Sequence, residues 1–414
     1  MRFRLAYGIK GILLAFVFLP VLVSGELAAG ERLPIGRITI EGLKRTRIAT
    51  VCRILNLQKG ILWTPEAREL AERRLRNFGT FTNISIEESV REEHVDLLIH
   101  LEDRWTLFPF PVFTTGSGSS YGLGIFERNF LGRQKNVGAI FLIKQRKPRL
   151  FVLYNDPHFL SWNWELIVTA GFSEDSIVDF IKEQTTASAS LRYRFSDYFS
   201  LLGGLRTTRY RHAEGAVTPI DGDSWRVLLE AEYNRLLMDE DYFQGASFQA
   251  AMDHDLGFSD FAVTRFRAKT ALYHRAFADH TLAANAWISL SDKTPYGFGY
   301  VLGGKGARDT LPVKGYRDNE FIADQVLSGN LEYRIPVFKS RGFILSAVGF
   351  TDYAFFADTP SRIFSGESMM GLGMAVRLYV RRVAVPAFQL YGTYLPKRDI
   401  FEIGFSVGAG PGRR

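Results

Sequence analysis

The chain has 414 residues, 46% of them hydrophobic and 14% aromatic, with 34 Phe, 17 Tyr and 38 Gly; its mean hydropathy is close to neutral. That balance excludes a bundle of membrane helices, which needs several apolar runs of about 20 residues, and the length allows two or three domains. The net charge of +7 names no partner by itself, and the single cysteine, Cys52, excludes an intramolecular disulfide.

Residues 1–30 read as a secretory signal. Arg2, Arg4 and Lys10 precede an apolar run from Gly11 to Val23, which is too short to span a bilayer and is interrupted by Pro20. Small residues at Gly25, Ala28, Ala29 and Gly30 place cleavage after Gly25 or Gly30. The mature protein is therefore expected outside the cytoplasm.

Residues 31–104 predict a small α+β domain in the order β-α-α-β-β. Ile38 and Ile40 suit a strand ending at Gly42, and Thr46 is placed to cap a helix running toward Leu55. Thr64 and Pro65 start a second helix, whose apolar positions are Leu70, Leu75 and Phe78 and which Gly79 ends. Strands follow over 81–86 and 95–101, with the charged run from Glu87 to Glu93 turning between them.

From Arg104 onward a period of two replaces the helical period. Trp225, Val227, Leu229, Ala231 and Tyr233 alternate with Arg226, Glu230, Glu232 and Asn234, and Leu331, Tyr333, Ile335 and Val337 alternate with Glu332 and Arg334. Such strands set one face on an apolar medium and the other on a polar one. In a membrane every backbone group needs a partner, so such a sheet has to close. Sixteen strands are expected, near 105–115, 120–130, 136–145, 149–157, 162–173, 185–196, 199–211, 224–236, 243–254, 261–274, 280–291, 326–338, 342–356, 369–380, 384–394 and 400–410. Gly116 to Ser119 is a hairpin turn in this scheme. Arg192, Arg194, Arg206, Arg209, Arg211, Arg265, Arg267, Lys269 and Arg275 are assigned to the inner face, with Glu183, Glu230 and Glu232 as counter-charges. The connection from about Lys293 to Asn319 is long and Gly-rich, which marks a functional loop.

Catalytic patterns are missing. There is no H-E-x-x-H or G-x-S-x-G, and Gly303-Gly304-Lys305-Gly306 lacks the spacing of a phosphate loop. Asp253 and Asp255 face away from His254 on an alternating strand, so these three do not form a metal or relay site. No catalytic residue, metal or cofactor is expected.

Several motifs fall in one order along the chain. Phe126 to Gln134 (FERNFLGRQ) and Asn155 to Phe159 (NDPHF) precede Val313-Lys314-Gly315-Tyr316, with Arg317 next, and Phe350-Thr351-Asp352-Tyr353-Ala354 follows. This series resembles the BamA/TamA-type outer-membrane proteins, which assemble or export polypeptides. Lys314 stands where the family's V-R-G-F/Y motif has arginine, and Ala354 where its F-x-D-x-G strand has the last glycine. The chain also departs from the family by a Gly- and Arg-rich tail after Val407 in place of a terminal aromatic, with Phe405 as the substitute.

The resemblance implies a β class architecture: a sixteen-stranded antiparallel transmembrane barrel over 105–414, preceded by one POTRA-like periplasmic domain over 31–104. It also implies a loop folded into the lumen, anchored by Val313, Lys314, Gly315, Tyr316, Arg317 and Asp352. The implied function is assembly or translocation of polypeptides at the bacterial outer membrane. Clients would dock by strand pairing at an edge formed by Phe81, Ile84 and Ile86 and pass through the barrel or along its seam. Implied partners are unfolded outer-membrane or exported polypeptides, outer-membrane lipid and assembly partners, with no nucleic acid. The alternative is a passive outer-membrane channel or receptor barrel.

Overall fold

The computed structural model describes residues 33–114, 120–144, 146–177, 180–215, 219–239, 242–277, 279–292, 294–304, 312–380 and 388–407. The signal segment, the turn at Gly116 to Ser119, Lys305 and Gly306, and the tail after Val407 lie outside the described residues.

The N-terminal domain runs β1 (Leu33–Glu41), α1 (Ile48–Leu55), β2 (Leu62–Trp63), α2 (Pro65–Phe78), β3 (Phe81–Val90) and β4 (Val95–Asp103). Its sheet has the order β2-β1-β4-β3, with β1 parallel to β4. Thr64 caps α2 by accepting from the Ala67 N–H at 3.2 Å, and Gly79 ends it at φ 67°. Ala71 and Leu75 of α2 join Val51, Ile54 and Leu55 of α1 over Leu97, Ile99 and Leu101 in one apolar core.

Three expectations for this domain need correction. Arg47, not Thr46, occupies the cap of α1, because the Thr46 hydroxyl is committed to Asp103. The two-residue β2 was missed, being too short to show a period. The strand expected over 81–86 extends to Val90, since Glu87 and Glu88 are ladder residues on an exposed edge rather than turn residues.

The remaining strands are β5 (Leu107–Thr114), β6 (Ser120–Phe130), β7 (Lys135–Lys144), β8 (Lys147–Asp156), β9 (Trp164–Ile177), β10 (Phe180–Arg194), β11 (Phe199–Ala213), β12 (Gly222–Asn234), β13 (Leu237–Asp239), β14 (Tyr242–Asp255), β15 (Thr264–Arg275), β16 (Thr281–Ser291), β17 (Tyr300–Leu302), β18 (Phe321–Ala323), β19 (Gln325–Lys339), β20 (Phe343–Ala357), β21 (Glu367–Val380), β22 (Phe388–Leu395) and β23 (Ile400–Val407). Sixteen long antiparallel strands close a barrel in which β23 returns to β5. Short β13 continues β12 past a break and pairs with the same neighbour, β14. β17 and β18 form a separate hairpin within the long loop.

Alternation sorts the two faces as the sequence suggests. In β12, Trp225, Leu229 and Tyr233 are exposed outside, while Arg226 and Glu232 are buried inside. Inner arginines meet carboxylates: Arg192 pairs with Glu230 (2.8 Å) and with Glu232 and Glu165, Arg226 with Asp255 (2.9 Å), and Arg267 with Asp253 (3.1 Å). The assignment of Arg209 and Arg211 to the inner face is corrected, because they share the parity of the exposed Leu201 and Leu205. Arg209 instead pairs with the exposed Asp223.

Strand direction fixes which end each turn occupies. The turns after β6, β8, β10 and β12 lie at the end of the barrel that carries the N-terminal domain. The connection between β16 and β19 leaves from the opposite end.

Candidate functional site

The β16–β19 loop folds back into the lumen and is ordered by its own main chain. The Val313 N–H donates to the Gly303 carbonyl (3.0 Å), the Gly304 N–H to Arg317 (2.9 Å) and the Glu320 N–H to Leu302 (2.9 Å). Gly303, at φ 143°, lets the crossing segments approach closely, since a Cβ there would lie 2.0 Å from the Arg317 carbonyl oxygen. Gly315, at φ 91°, lies against Leu395. Val313 (1% exposed) and Tyr316 (3%) are buried in an apolar cluster with Val326, Ala354, Phe356, Met369 and Leu395.

Lys314 reaches the wall at Asp352. Its Nζ lies 3.1 and 3.2 Å from the two carboxylate oxygens, and its own N–H donates to the same carboxylate at 3.1 Å. Asn330 donates to Asp352 from the neighbouring strand at 2.5 Å. The ammonium also sits 4.1 Å from the Phe350 ring centre. A lysine makes this contact as a point charge, without the two-pronged fork of an arginine. Phe350, Asp352 and Phe356 share one inward parity of an unbroken strand. Arg317 does not join Asp352. It is exposed, and its resolved hydrogen bonds come from its main chain.

Sequence reasoning missed the loop's other contacts. Asp318 pairs with Lys144 at the end of β7 (2.5 Å), with side chains 11% and 5% exposed. Asn319 donates to the Ser176 carbonyl on β9 (3.2 Å). Arg398, in the turn after β22, pairs with Glu320 and stacks on Tyr316. The charges at 318 and 320 were visible beside the motif, but their partners lie more than 70 residues away on other strands.

At the other end, the N-terminal domain is docked on four successive turns. Arg74 grips Asp197 with two bonds, at 2.7 and 2.8 Å, and stacks on Trp162. The Arg47 N–H and the Thr50 hydroxyl donate to the Gly132 carbonyl, and Asn129 donates to Thr46 at 2.7 Å. Asn77 reaches the Leu236 carbonyl at 3.5 Å. His158 is sandwiched between Phe78 and Trp162, with ring centres 5.4 and 5.3 Å away. Burial, reinforced by Arg194 and Arg53, pushes its imidazole down to about 3. Burial alone would raise the Asp103 carboxyl, but the Thr46 hydroxyl and the N–H groups of Arg45, Lys44 and Thr46 hold it below the usual carboxylate range.

The edge expected at Phe81, Ile84 and Ile86 has a different character. Phe81 and Ile86 are buried in the domain core and Ile84 packs against it, so these side chains face inward. The Arg91 N–H donates to the His94 carbonyl at the hairpin's closing pair, which directs the main-chain groups of Ile86, Glu88 and Val90 to the free edge of β3. Arg68 already occupies the Ile86 carbonyl at 3.1 Å. Among the described residues no group of three metal-donor side chains occurs.

A sixteen-stranded barrel with a loop pinned in its lumen and a small α+β domain on one rim defines the class of protein. The Omp85 superfamily domain model matches residues 129–381, more than half of the chain, and the chain belongs to that superfamily. Its fold is similar to BamA from Haemophilus ducreyi lacking POTRA domains 1-3, with TM-score 0.56 and 19% identity over 92% of this chain and 85% of that one. It is also similar to CdiB from Acinetobacter baumannii (TM-score 0.60, 12% identity, 91% of this chain, 74% of that one). CdiB from Escherichia coli matches with TM-score 0.60 and 9% identity over 94% of this chain and 93% of that one. At these identities the likeness is one of fold. No curated protein matches the sequence.

Proposed function

We propose that this protein is an outer-membrane factor that assembles or translocates polypeptides, with its N-terminal domain acting as a single POTRA module in the periplasm. The observation that carries the reading is the loop bearing Val313 to Tyr316, held on Asp352 inside the barrel of an Omp85 chain. The exposed apolar outer wall, with residues such as Leu123, Leu229 and Leu331, suits lipid. Clients dock by adding a strand to β3, where main-chain groups give affinity without demanding a sequence. They then pass through the lumen or along the seam between β23 and β5. No catalytic role and no cofactor enter this reading.

The test is photo-crosslinking in living cells from the exposed positions Ser85 and Glu87 beside the β3 edge. Capture of unfolded outer-membrane or exported polypeptides is the expected result. A passive channel or receptor would give no polypeptide adducts above those from a position on the barrel's outer face.

A further inference from the structure

The lumen has two unlike walls. Lys144 marks the inner face of β7, because it holds Asp318 of the inward loop. Ile140 and Leu142 share its parity, and the register carries that face to Phe151 and Leu153 of β8. Through Gly124 and Gly138 the same face reaches Phe110 of β5 and Phe126 of β6. The opposite parity carries Leu123, Phe141 and Leu150, which are exposed on the outer wall. These strands are therefore apolar on both faces, whereas a barrel interior is ordinarily polar.

The inner patch is accessible. None of its six side chains is buried, and Phe151 is 41% exposed although it points inward. The rings of Phe110 and Phe126 lie over glycines. A Cβ on Gly124 would fall 2.2 Å from the Phe110 ring, and one on Gly138 2.3 Å from the Phe126 ring. Laid against the sheet in this way, the rings offer their faces to the lumen instead of projecting into it.

Across the barrel, β14 and β15 set Asp253, Arg265 and Arg267 on the inner face. The patch also adjoins the N-terminal domain. Arg128, just beyond Phe126, donates to the Phe78 carbonyl of that domain at 3.0 Å. A chain arriving from the domain meets an apolar wall on one side and a charged wall on the other. An extended polypeptide with alternating apolar and polar side chains satisfies both at once.

We propose that the inner wall of β5–β8 docks the apolar face of such a polypeptide, one with the side-chain pattern of a membrane β-strand. The inference deepens the proposed function and rests on it. It assigns outer-membrane clients to this wall in preference to uniformly polar exported chains.

The test uses the full-length protein in phospholipid nanodiscs, with a photo-crosslinker at Phe151 or, as the outer-wall control, at Phe141. The probes are two synthetic peptides of about ten residues, the length of one membrane strand. They share one composition; one alternates apolar and polar residues and the other holds its apolar residues in a block. Phe151 should capture the alternating peptide and not the block peptide, and Phe141 should capture neither. Ile140→Gln with Leu153→Gln should weaken binding of the alternating peptide about tenfold. Equal capture of the two peptides, capture of neither, or binding unchanged by the glutamines overturns the proposal. Should the glutamine variant not fold, the two peptides on the otherwise native chain still decide. Client capture at Ser85 in cells with neither peptide held at Phe151 would sink this inference alone. Peptide capture at Phe151 with no client at Ser85 would sink the proposed function instead.

Discussion

Asp352 is fully buried, yet it keeps partners on two elements, the Lys314 ammonium on the loop and the Asn330 amide on β19. Removing Lys314 leaves that carboxylate to Asn330 and one main-chain N–H; removing Asp352 strands both the ammonium and Asn330. Losing one member of so enclosed a pair costs about 3 kcal/mol locally. Lys314→Ala and Asp352→Ala should each open the loop to protease between Gly297 and Asn319 in intact cells, and the double variant should be little worse than Asp352→Ala. Strictly additive cutting would place the loop's hold elsewhere.

A second residue-scale expectation concerns His158, held neutral between Phe78 and Trp162. Its folded value, about 3, lies below its ordinary 6.5, so the undocked state binds the proton first. Stability is unaffected above pH 6.5 and falls as pH drops from there toward 3, by at most about 1.4 kcal/mol per pH unit. Asp103 adds loss only in the more acid range, because its depressed carboxyl stabilises above the ordinary carboxylate value and stops doing so as it takes up a proton. Limited proteolysis of the junction should therefore accelerate between pH 6 and 5 in the wild type. His158→Phe, which keeps the stack and cannot protonate, should flatten that dependence; an unchanged profile would assign it to another group.

Among the elements, the barrel strands were the most legible in the sequence and the N-terminal edge the least. Alternation over eight or more residues leaves one phase to choose, so strands such as β6, β12 and β16 were located within a residue or two. β2, with two residues, carries no period at all. The Thr46 cap failed because a cap and a tertiary hydrogen bond compete for one hydroxyl, and Asp103 lies 57 residues away. The motif around Lys314 could be read as a resemblance, whereas Asp318–Lys144 and Arg74–Asp197 join residues that share no local pattern. Arg209 and Arg211 were misplaced by grouping basic residues before counting parity.

The corrected geometry of β3 sharpens the docking test. A proline at Glu88 removes a donor from the free edge and spares the bonds to β4, whereas one at Ser85 or Glu87 breaks that ladder. Glu88→Pro should lower client crosslinks while the barrel still inserts. Equal crosslinking with verified insertion would move docking off this edge.

At the scale of the molecule, the proposed function is divided between the two ends. One rim carries a domain with an open strand edge, fixed by Arg74, Arg47 and Phe78 to four turns. The other end sends a loop back into the lumen, held on Asp352 through Lys314 and on Lys144 through Asp318. Fractionation with membranes and a heat-dependent band shift are expected of the closed sheet; a soluble periplasmic pool of mature protein would contradict the membrane reading.

In the proposed function, polypeptides pass from the N-terminal domain to the barrel. This passage is tested most directly by pulse-labelling cells that carry a photo-crosslinker at Ser85, or alternatively at Phe110 on the first barrel strand, and following the adducts through a chase. Labelled polypeptides should be captured first at Ser85, then at Phe110, with both sets disappearing as clients reach their destination. Adducts that never appear, or that persist unchanged through the chase at Ser85 with none at Phe110, would contradict it.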